Sequence, residues 1–239
     1  MLFPSLIRKK VTNDRNNPWE KVRAVWEIIE RLRGESGCPW DRKQTPESVQ
    51  TYLVEEAHEG AAAVRSGKLD EIADELGDVL FMVFFLVYLY EQRGDFSLEE
   101  VCDRISEKMV RRHPHVFGDI SVETAEQVKD NWEKIKEREK SENGKAPEPV
   151  PESLPALMRA YRILSRLSRA EAEEWNSIEA RTRDFSGKSG RLAEALKAGN
   201  HVPADLIGDL LLDLVNIARL QGYRSEDCLH ERLRGFGRE

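Results

Sequence analysis

Cysteine is scarce in this chain of 239 residues, and the three cysteines that occur are far apart. Cys38, Cys102 and Cys228 form no C-x-x-C spacing, so the sequence contains neither a typical zinc-binding pattern nor a disulfide framework. The first ten residues place a short apolar stretch before the basic residues, which is the reverse of the order in a secretory signal. We therefore expect a cytoplasmic protein.

Long hydrophobic runs and a basic excess are also missing. The longest apolar run, residues 79–90, has twelve residues, which is too short to span a bilayer and predicts a helix buried on all sides. The formal net charge is −7, whereas nucleic-acid-binding domains usually carry a basic excess. We therefore expect neither a membrane nor a nucleic acid as a partner.

Helical periodicity is what the chain has throughout. Apolar residues recur at helical spacing in almost every segment, and strand-like alternation does not persist anywhere. The sequence therefore predicts an all-α fold. Residues 141–155 hold four prolines and one glycine, which is typical of an extended linker. We expect helical domains over 1–140 and 156–239 on either side of it.

The second half resembles a degenerate copy of the first. Gly77-Asp78-Val79-Leu80 is echoed by Gly208-Asp209-Leu210-Leu211, and an apolar helix follows in both places. Leu206 stands where the first half has Glu75, and the acidic set is incomplete in the copy. We expect two tandem helical repeats, with helices over 156–183 and 190–198 opening the second. A duplication that kept the fold and lost the acids is the simplest account.

Five carboxylates carry most of the functional information: Glu55, Glu56, Glu59, Glu75 and Asp78. The first three fall on one face of a helix, and the last two are i,i+3 neighbours on the next helix. Two such helices packed together would concentrate negative charge in one cleft, which is unfavourable without a cation. Carboxylate oxygens favour Mg²⁺, with Mn²⁺ as a possible substitute, and such sites usually serve phosphate chemistry.

Two other interpretations of these acids were weighed. Glutamate is a common surface helix former, so an isolated E-E-x-x-E would more often be a solvated helix face. His58 completes an E-x-x-H pattern with Glu55, which is found in di-iron helical bundles, but such sites need a second copy of the pattern. The nearest second candidate, D-C-L-H at 227–230, lies in the degenerate half. We expect His58 to be structural.

Basic and aromatic residues form a second group of candidates. Lys108, Arg111 and Arg112 lie near the end of a predicted helix, where they would bind phosphate or simply complement the helix dipole. Trp40 and Trp132 lie in polar surroundings, where each would stack on a nucleobase or pack against its own domain. Residue types alone leave these alternatives open.

Taken together, these residues resemble the MazG family of nucleoside triphosphate pyrophosphohydrolases over about residues 19–140. The motifs that carry the resemblance are C-P-W-D at 38–41, Q-T at 44–45, E-E-x-x-E at 55–59, E-L-G-D at 75–78 and K-x-x-R-R-H-P-H-V-F at 108–117. The chain departs from the family pattern at Thr45-Pro46, where many members have Thr-His. The second half resembles the carboxyl-terminal MazG repeat only in outline.

The resemblance implies an activity and a set of roles. It implies Mg²⁺-dependent cleavage of a nucleoside triphosphate between the α and β phosphates, giving a monophosphate and pyrophosphate. The metal ligands would be Glu56, Glu59, Glu75 and Asp78, with Glu55 as a further ligand or as the group that orients the attacking water. The substrate contacts would be Lys108, Arg111 and Arg112 at the triphosphate and Trp132 or Trp40 at the base. Because the second repeat lacks the acids, the first repeat would be the active one, or else the protein would be weakly active or inactive.

The resemblance also implies a homodimer, in which the helix over 79–90 packs in the core between two copies. The alternative to an enzyme is a non-catalytic regulatory or assembly module that binds nucleotide and uses the same helical dimer. The intact acidic set in the first half favours the enzyme, because a scaffold has no physical reason to keep it.

Overall fold

A computed structural model of the protein describes residues 17–142, 149–170 and 175–236. In these residues helices are joined by loops and no β-strand occurs, which confirms the predicted all-α class. The helices are α1 (Pro18–Arg33), α2 (Pro46–Ser66), α3 (Leu69–Arg93), α4 (Leu98–Arg112), α5 (Pro114–Phe117), α6 (Ala125–Glu142), α7 (Ala156–Ala170), α8 (Ile178–Lys197), α9 (Ala204–Leu220) and α10 (Ser225–Leu233). Within the described ranges, every helix is too short or too polar to cross a membrane.

The chain divides into two compact units, Met1–Glu139 and Lys140–Glu239. The predicted linker over 141–155 begins inside α6, which continues to Glu142, and its residues 143–148 lie outside the described residues. In each unit a central helix packs against the two helices before it and the helix after it. That central helix is α3 in the first unit and α9 in the second. The common pairing supports a duplication, which stays a prediction.

Local signals in the sequence fix the helix boundaries of the first unit. Asn17 accepts a hydrogen bond from the backbone N–H of Trp19 and caps α1, while Thr45 and Ser48 form a capping box at the start of α2. Gly67 ends α2 at a φ of 75°, a left-handed conformation that favours glycine. Only Gly67 and Lys68 separate α2 from α3, so the two helices form a tight hairpin.

The core of the first unit lies on one side of α3. Ile29 of α1, Val49 of α2, and Phe85 and Leu89 of α3 form a buried cluster. Further apolar side chains of α3 pack against this cluster with partial exposure. At about 25 cal/mol per Å² of buried apolar surface, such clusters supply the main stabilisation of a small helical unit.

The prediction that the helix over 79–90 is buried on all sides is wrong for the chain by itself. Leu80 and Val83 are each 39% exposed, and Leu76, one turn earlier, is 53% exposed. These three residues follow i, i+4, i+7 spacing and form one apolar stripe on α3. The stripe is exposed because α1 and α2 cover only the other side of a helix that is apolar all round.

The second unit begins differently from the prediction. The described part of α7 runs to Ala170, and residues 171–174 lie outside the described residues. The helix expected over 156–183 is interrupted at Ser177, before α8 starts at Ile178. Ser177 caps α8 by accepting from the backbone N–H of Ala180. The expected break before residue 190 is also wrong, because α8 runs unbroken through both of its glycines to Lys197. Packing against α9 outweighs the poor helix propensity of those glycines.

Candidate metal centre

The α2–α3 hairpin determines which acids meet. Val49, Gly60 and Ala63 are the buried residues on the face of α2 that packs in the unit, and Gly60 lies against Glu75 and Val79 of α3. Glu56 is one turn before Gly60 on the same face. A glutamate therefore lies in the seam between the two helices, opposite the acidic first turns of α3.

Three of the five predicted carboxylates come together in this seam. One carboxylate oxygen each from Glu56, Glu75 and Asp78 lies within 4.8 Å of the other two. Glu56 and Glu75 are half-buried, whereas Asp78 is exposed and opens the cluster to solvent. Oxygens at this separation match the donor set that a hard divalent cation takes.

Glu59 and Glu55 lie outside that group of three. Glu59 interacts with it more strongly than Glu55 does. The negative charge of Glu59 raises the pKa of both Glu56 and Glu75, so Glu59 faces the cluster from one turn along α2. Glu55 contributes only the smallest of the effects that raise the pKa of Glu56. Both residues are exposed. The geometry thus has three acids at the centre, Glu59 beside them and Glu55 at the edge.

The electrostatics of the cluster are unfavourable without a cation. Burial, followed by the charges of Asp78 and Glu59, raises the pKa of the Glu56 carboxyl above its usual value. Burial and then the charges of Glu59 and Asp78 do the same to the pKa of Glu75. The Oε2 atom of Glu75 is buried and has no hydrogen-bond partner in the described part of the chain. A buried carboxylate oxygen without a partner is costly, so these residues fit a bound metal ion.

One nearby acid outside the cluster has a cationic partner within the chain. Lys68 forms an ion pair with Glu71 at 2.6 Å, one turn before Glu75 on α3. In the described ranges, no lysine or arginine makes such a pair with the three central carboxylates. His58, the candidate for a di-iron pattern, is exposed and absent from the metal-capable group of described residues.

The basic residues occupy the end of α4. Lys108 is exposed, whereas Arg111 and Arg112 both donate to Glu139 of α6. The Nε atom of Arg111 lies 2.6 Å from Oε1, and the Nη2 atom of Arg112 lies 2.7 Å from Oε2. The hydrogen bonds from Arg112 and then Arg111 hold the pKa of Glu139 below its usual value. Nothing in the sequence signals Glu139, which is 27 residues beyond Arg112 in a helix full of acids.

The two tryptophans are each held by one neighbour and left partly open. Trp40 is 55% exposed, and its ring centroid lies 5.8 Å from that of Tyr52, which is one turn before Glu56 on α2. Trp132 is 36% exposed, with the Lys136 ammonium 5.3 Å from its ring centroid. Tyr52 and Lys136 were not expected from the sequence, although their helical spacing from known candidates was a usable signal.

Arg33 fixes the loop that carries Trp40. Its Nη1 atom donates to the backbone carbonyls of Asp41 at 2.5 Å and Gln44 at 3.0 Å, and its other nitrogens reach Gln92 at the end of α3. This arginine therefore joins α1, the loop and α3. These bonds hold the loop of Trp40, and therefore its ring, in place relative to the acids of α2.

The second unit has an internal ion pair on its central helix. The Nζ atom of Lys188 in α8 lies 2.7 Å from Oδ2 of Asp213 and 3.9 Å from Oδ2 of Asp209, the residue that echoes Asp78. The Asp213 side chain is only 5% exposed. An ammonium group of the chain thus neutralises the acids of the central helix, where the first unit offers only more carboxylates.

Comparisons with known proteins place the chain in a family. The family model described as the MazG nucleotide pyrophosphohydrolase domain matches residues 44–117, which include all five acids. The nucleoside triphosphate pyrophosphohydrolase of Escherichia coli strain K12 is 35% identical over 217 residues, which cover 88% of this chain and 82% of that protein. The Thermotoga maritima protein named nucleoside triphosphate pyrophosphohydrolase/pyrophosphatase MazG is 37% identical over 214 residues, covering 87% and 80%. The crystal structure of a mazG-related protein from Thermotoga maritima is 28% identical, with a TM-score of 0.43, and covers 48% of this chain and 98% of that chain.

Proposed function

Because the chain belongs to the MazG nucleotide pyrophosphohydrolase family, we propose that it hydrolyses nucleoside triphosphates to a nucleoside monophosphate and pyrophosphate at the acidic cluster of its first unit. One observation carries the proposal: three carboxylate oxygens lie within 4.8 Å of one another, and a buried Glu75 oxygen beside them has no partner in the described residues. Ionised carboxylates this close together repel one another, and a bound cation removes that repulsion.

The metal of this site is proposed to be Mg²⁺, held by Glu56, Glu75 and Asp78 with Glu59 as the fourth carboxylate. All four offer the hard oxygen ligands that Mg²⁺ and Mn²⁺ prefer. When bound, the ion supplies charge neutralisation at the reacting phosphate and acidifies a coordinated water. We propose that Glu55, at the edge of the cluster, orients the attacking water instead of acting as a further ligand.

The remaining candidates bind and orient the substrate. Water attacks the α-phosphorus, the bond from that phosphorus to the α–β bridging oxygen breaks, and pyrophosphate leaves with the electron pair. Lys108, Arg111 and Arg112 provide positive charge for the leaving group, and Trp40 and Trp132 offer ring faces to the base. Positioning and fixed charge supply most of the acceleration in such reactions.

The direct test is pyrophosphate release from a panel of ordinary and damaged nucleoside triphosphates with Mg²⁺. We expect the wild-type protein to release pyrophosphate, EDTA to abolish release, and Glu59→Gln and Asp78→Asn to lower it severely. Asp209→Asn is the matched control, because it makes the same change at the echo of Asp78 in the second unit. Equal activity in the wild type, Glu59→Gln and Asp78→Asn would refute the site and favour a non-catalytic nucleotide-binding module.

A homodimer through α3 is also proposed. The exposed stripe of Leu76, Leu80 and Val83 lies on the central helix of the first unit, where a second copy would cover it. We expect light scattering at micromolar concentration to give a dimer and the double change Leu80→Lys/Val83→Lys to give a monomer. Val64→Lys, at an exposed residue of α2 outside the stripe, is the control. A monomeric wild-type protein would contradict the proposal.

A further inference from the structure

The carboxylate of Glu139 accepts hydrogen bonds from one edge of the guanidinium group of Arg111 and of Arg112, at the end of α4. Its Oε1 atom accepts from Nε of Arg111 at 2.6 Å, and its Oε2 atom accepts from Nε at 3.1 Å and Nη2 at 2.7 Å of Arg112. A single carboxylate thus fixes the Nε side of both guanidinium groups. The Glu139 side chain is only 16% exposed, so solvent screens these contacts weakly.

The other edge of each guanidinium stays available. In the described part of the chain, no acceptor bonds Nη1 or Nη2 of Arg111 or Nη1 of Arg112. The Arg111 side chain is 54% exposed, which leaves its terminal nitrogens open to solvent. Terminal guanidinium nitrogens are the donors that bind phosphate oxygens. The pair therefore presents phosphate-binding donors while its Nε edges are held.

Glu139 also connects two parts of the proposed substrate site. It lies seven residues after Trp132 on α6, and Lys136, which covers the Trp132 ring, lies between them on the same face. Seven residues of helix correspond to about 10 Å along its axis. The ion pairs to Glu139 therefore fix the helix that carries the aromatic ring relative to the arginines at the end of α4.

From this geometry we propose that Glu139 is a positioning residue, which orients Arg111 and Arg112 for the triphosphate and sets their distance from Trp132. The inference rests on the proposed function for the identity of the substrate. It goes beyond that function in assigning a role to a carboxylate that touches neither metal nor phosphate. Free arginine side chains lose much rotamer freedom on binding, and orientation in advance reduces that loss.

The opposite possibility is that Glu139 competes with phosphate for the arginines. The two roles predict opposite signs when its charge is removed. If Glu139 orients the pair, Glu139→Gln weakens phosphate binding. If it competes, the same change strengthens phosphate binding, because an anion leaves the neighbourhood of the ligand.

The experiment measures two things on the full chain with Glu139→Gln, Glu139→Asp and the control Glu126→Gln, which makes the same change at an exposed residue of α6. The first is binding of inorganic tripolyphosphate by calorimetry with Mg²⁺. The second is KM and kcat for pyrophosphate release. We expect Glu139→Gln to weaken tripolyphosphate binding and raise KM about tenfold, with kcat changed less than about twofold. Glu139→Asp keeps the charge and should recover part of the affinity, while Glu126→Gln should match the wild type.

Each of the following results would overturn either the proposed role of Glu139 or the proposed function. Tighter tripolyphosphate binding by Glu139→Gln would overturn the proposal in favour of competition. A lower melting temperature with unchanged tripolyphosphate binding would show that Glu139 only stabilises the fold. If Glu139→Gln fails to fold, the same measurements on Glu139→Asp test the proposal. A wild-type protein that binds tripolyphosphate but releases no pyrophosphate would refute the proposed function and still test Glu139 through the binding arm.

Discussion

The two units share the same pairing of helices but differ in whether the acids near their central helix have a cationic partner within the chain. In the first unit, Glu56, Glu75 and Asp78 meet without a positive group among the described residues. In the second, Lys188 contributes its own ammonium to Asp209 and Asp213. The second unit supplies a cation for its own acids, whereas under the proposed function the acids of the first unit take theirs from solution. The comparison shows that uncompensated negative charge distinguishes the unit that carries the proposed active site from the unit that does not.

The largest expected effect is on activity and falls on the first unit alone. Glu75→Gln removes the carboxylate whose Oε2 atom is buried without a partner in the described residues, so we expect kcat to fall about 100-fold or more. Lys188→Gln removes the cation of the second unit and should leave kcat within about twofold. Steady-state pyrophosphate release by both variants checks the contrast. If Lys188→Gln were as damaging as Glu75→Gln, activity would depend on both units.

The next effect is on stability and falls on the second unit. Lys188→Met leaves Asp213 buried without its partner at 2.7 Å, so we expect a loss of about 2–3 kcal/mol, somewhat below a fully buried pair because Lys188 is 26% exposed. The double variant Lys188→Met/Asp213→Leu should recover most of the loss. Urea unfolding monitored by tryptophan fluorescence measures both. Equal stability of wild type and Lys188→Met would show that the ion pair does not hold the unit together.

A tryptophan between the first two helices of each unit gives a third contrast. Trp40 is 55% exposed beside Tyr52, whereas Trp175 packs under the buried guanidinium of Arg181, 5.0 Å from its ring centroid. We expect Trp40→Ala to raise KM about tenfold with little change in stability, because base stacking contributes about 1–3 kcal/mol. Trp175→Ala should lower the free energy of unfolding by about 1–3 kcal/mol and leave KM unchanged. Steady-state kinetics and urea unfolding of both variants measure these effects. A raised KM for Trp175→Ala or a large stability loss for Trp40→Ala would contradict the prediction.

The smallest effect is the stability of the first unit without metal. The pKa values of Glu56 and Glu75 are raised above the usual 4.5, so the folded state holds protons that the unfolded state has lost. In EDTA the unit should therefore lose stability as the pH rises from about 4.5 through the raised pKa values. Glu75→Gln should remove part of this slope and raise the melting temperature at pH 7, while Mg²⁺ should stabilise the wild type more than the variant. Calorimetry in EDTA and in Mg²⁺ checks the sign.

The sequence predicts what depends on neighbours along the chain. Asn17, Thr45 and Gly67 give local signals for helix ends, and the structure begins or ends helices at them. The three central acids come together because two amphipathic helices joined by two residues must pack as a hairpin. Helical spacing in the sequence therefore predicts both the fold class and the three acids at the centre of the candidate site.

What the sequence does not predict depends on partners far along the chain. The pairing of Glu139 with Arg112 leaves no periodic signal, because any acid of α6 would satisfy the same pattern. The exposed stripe on α3 looks in sequence like the rest of a buried helix, since composition does not tell which side neighbours cover. The unbroken α8 goes against the low helix propensity of glycine, and only its packing on α9 explains it.

The two-residue link between α2 and α3 has a consequence for the order of folding. The acids that form the cluster, Glu56, Glu75 and Asp78, are at most 22 residues apart in sequence, so a single hairpin completes the site. Contacts between residues close in sequence form fast, and loop closure here costs little entropy. We expect pulse-labelled hydrogen exchange to protect α2 and α3 before α6, and Mg²⁺ present during refolding to speed that step. The metal would then act as a partner in nucleation, and a newly made chain could acquire it before the rest of the unit is complete.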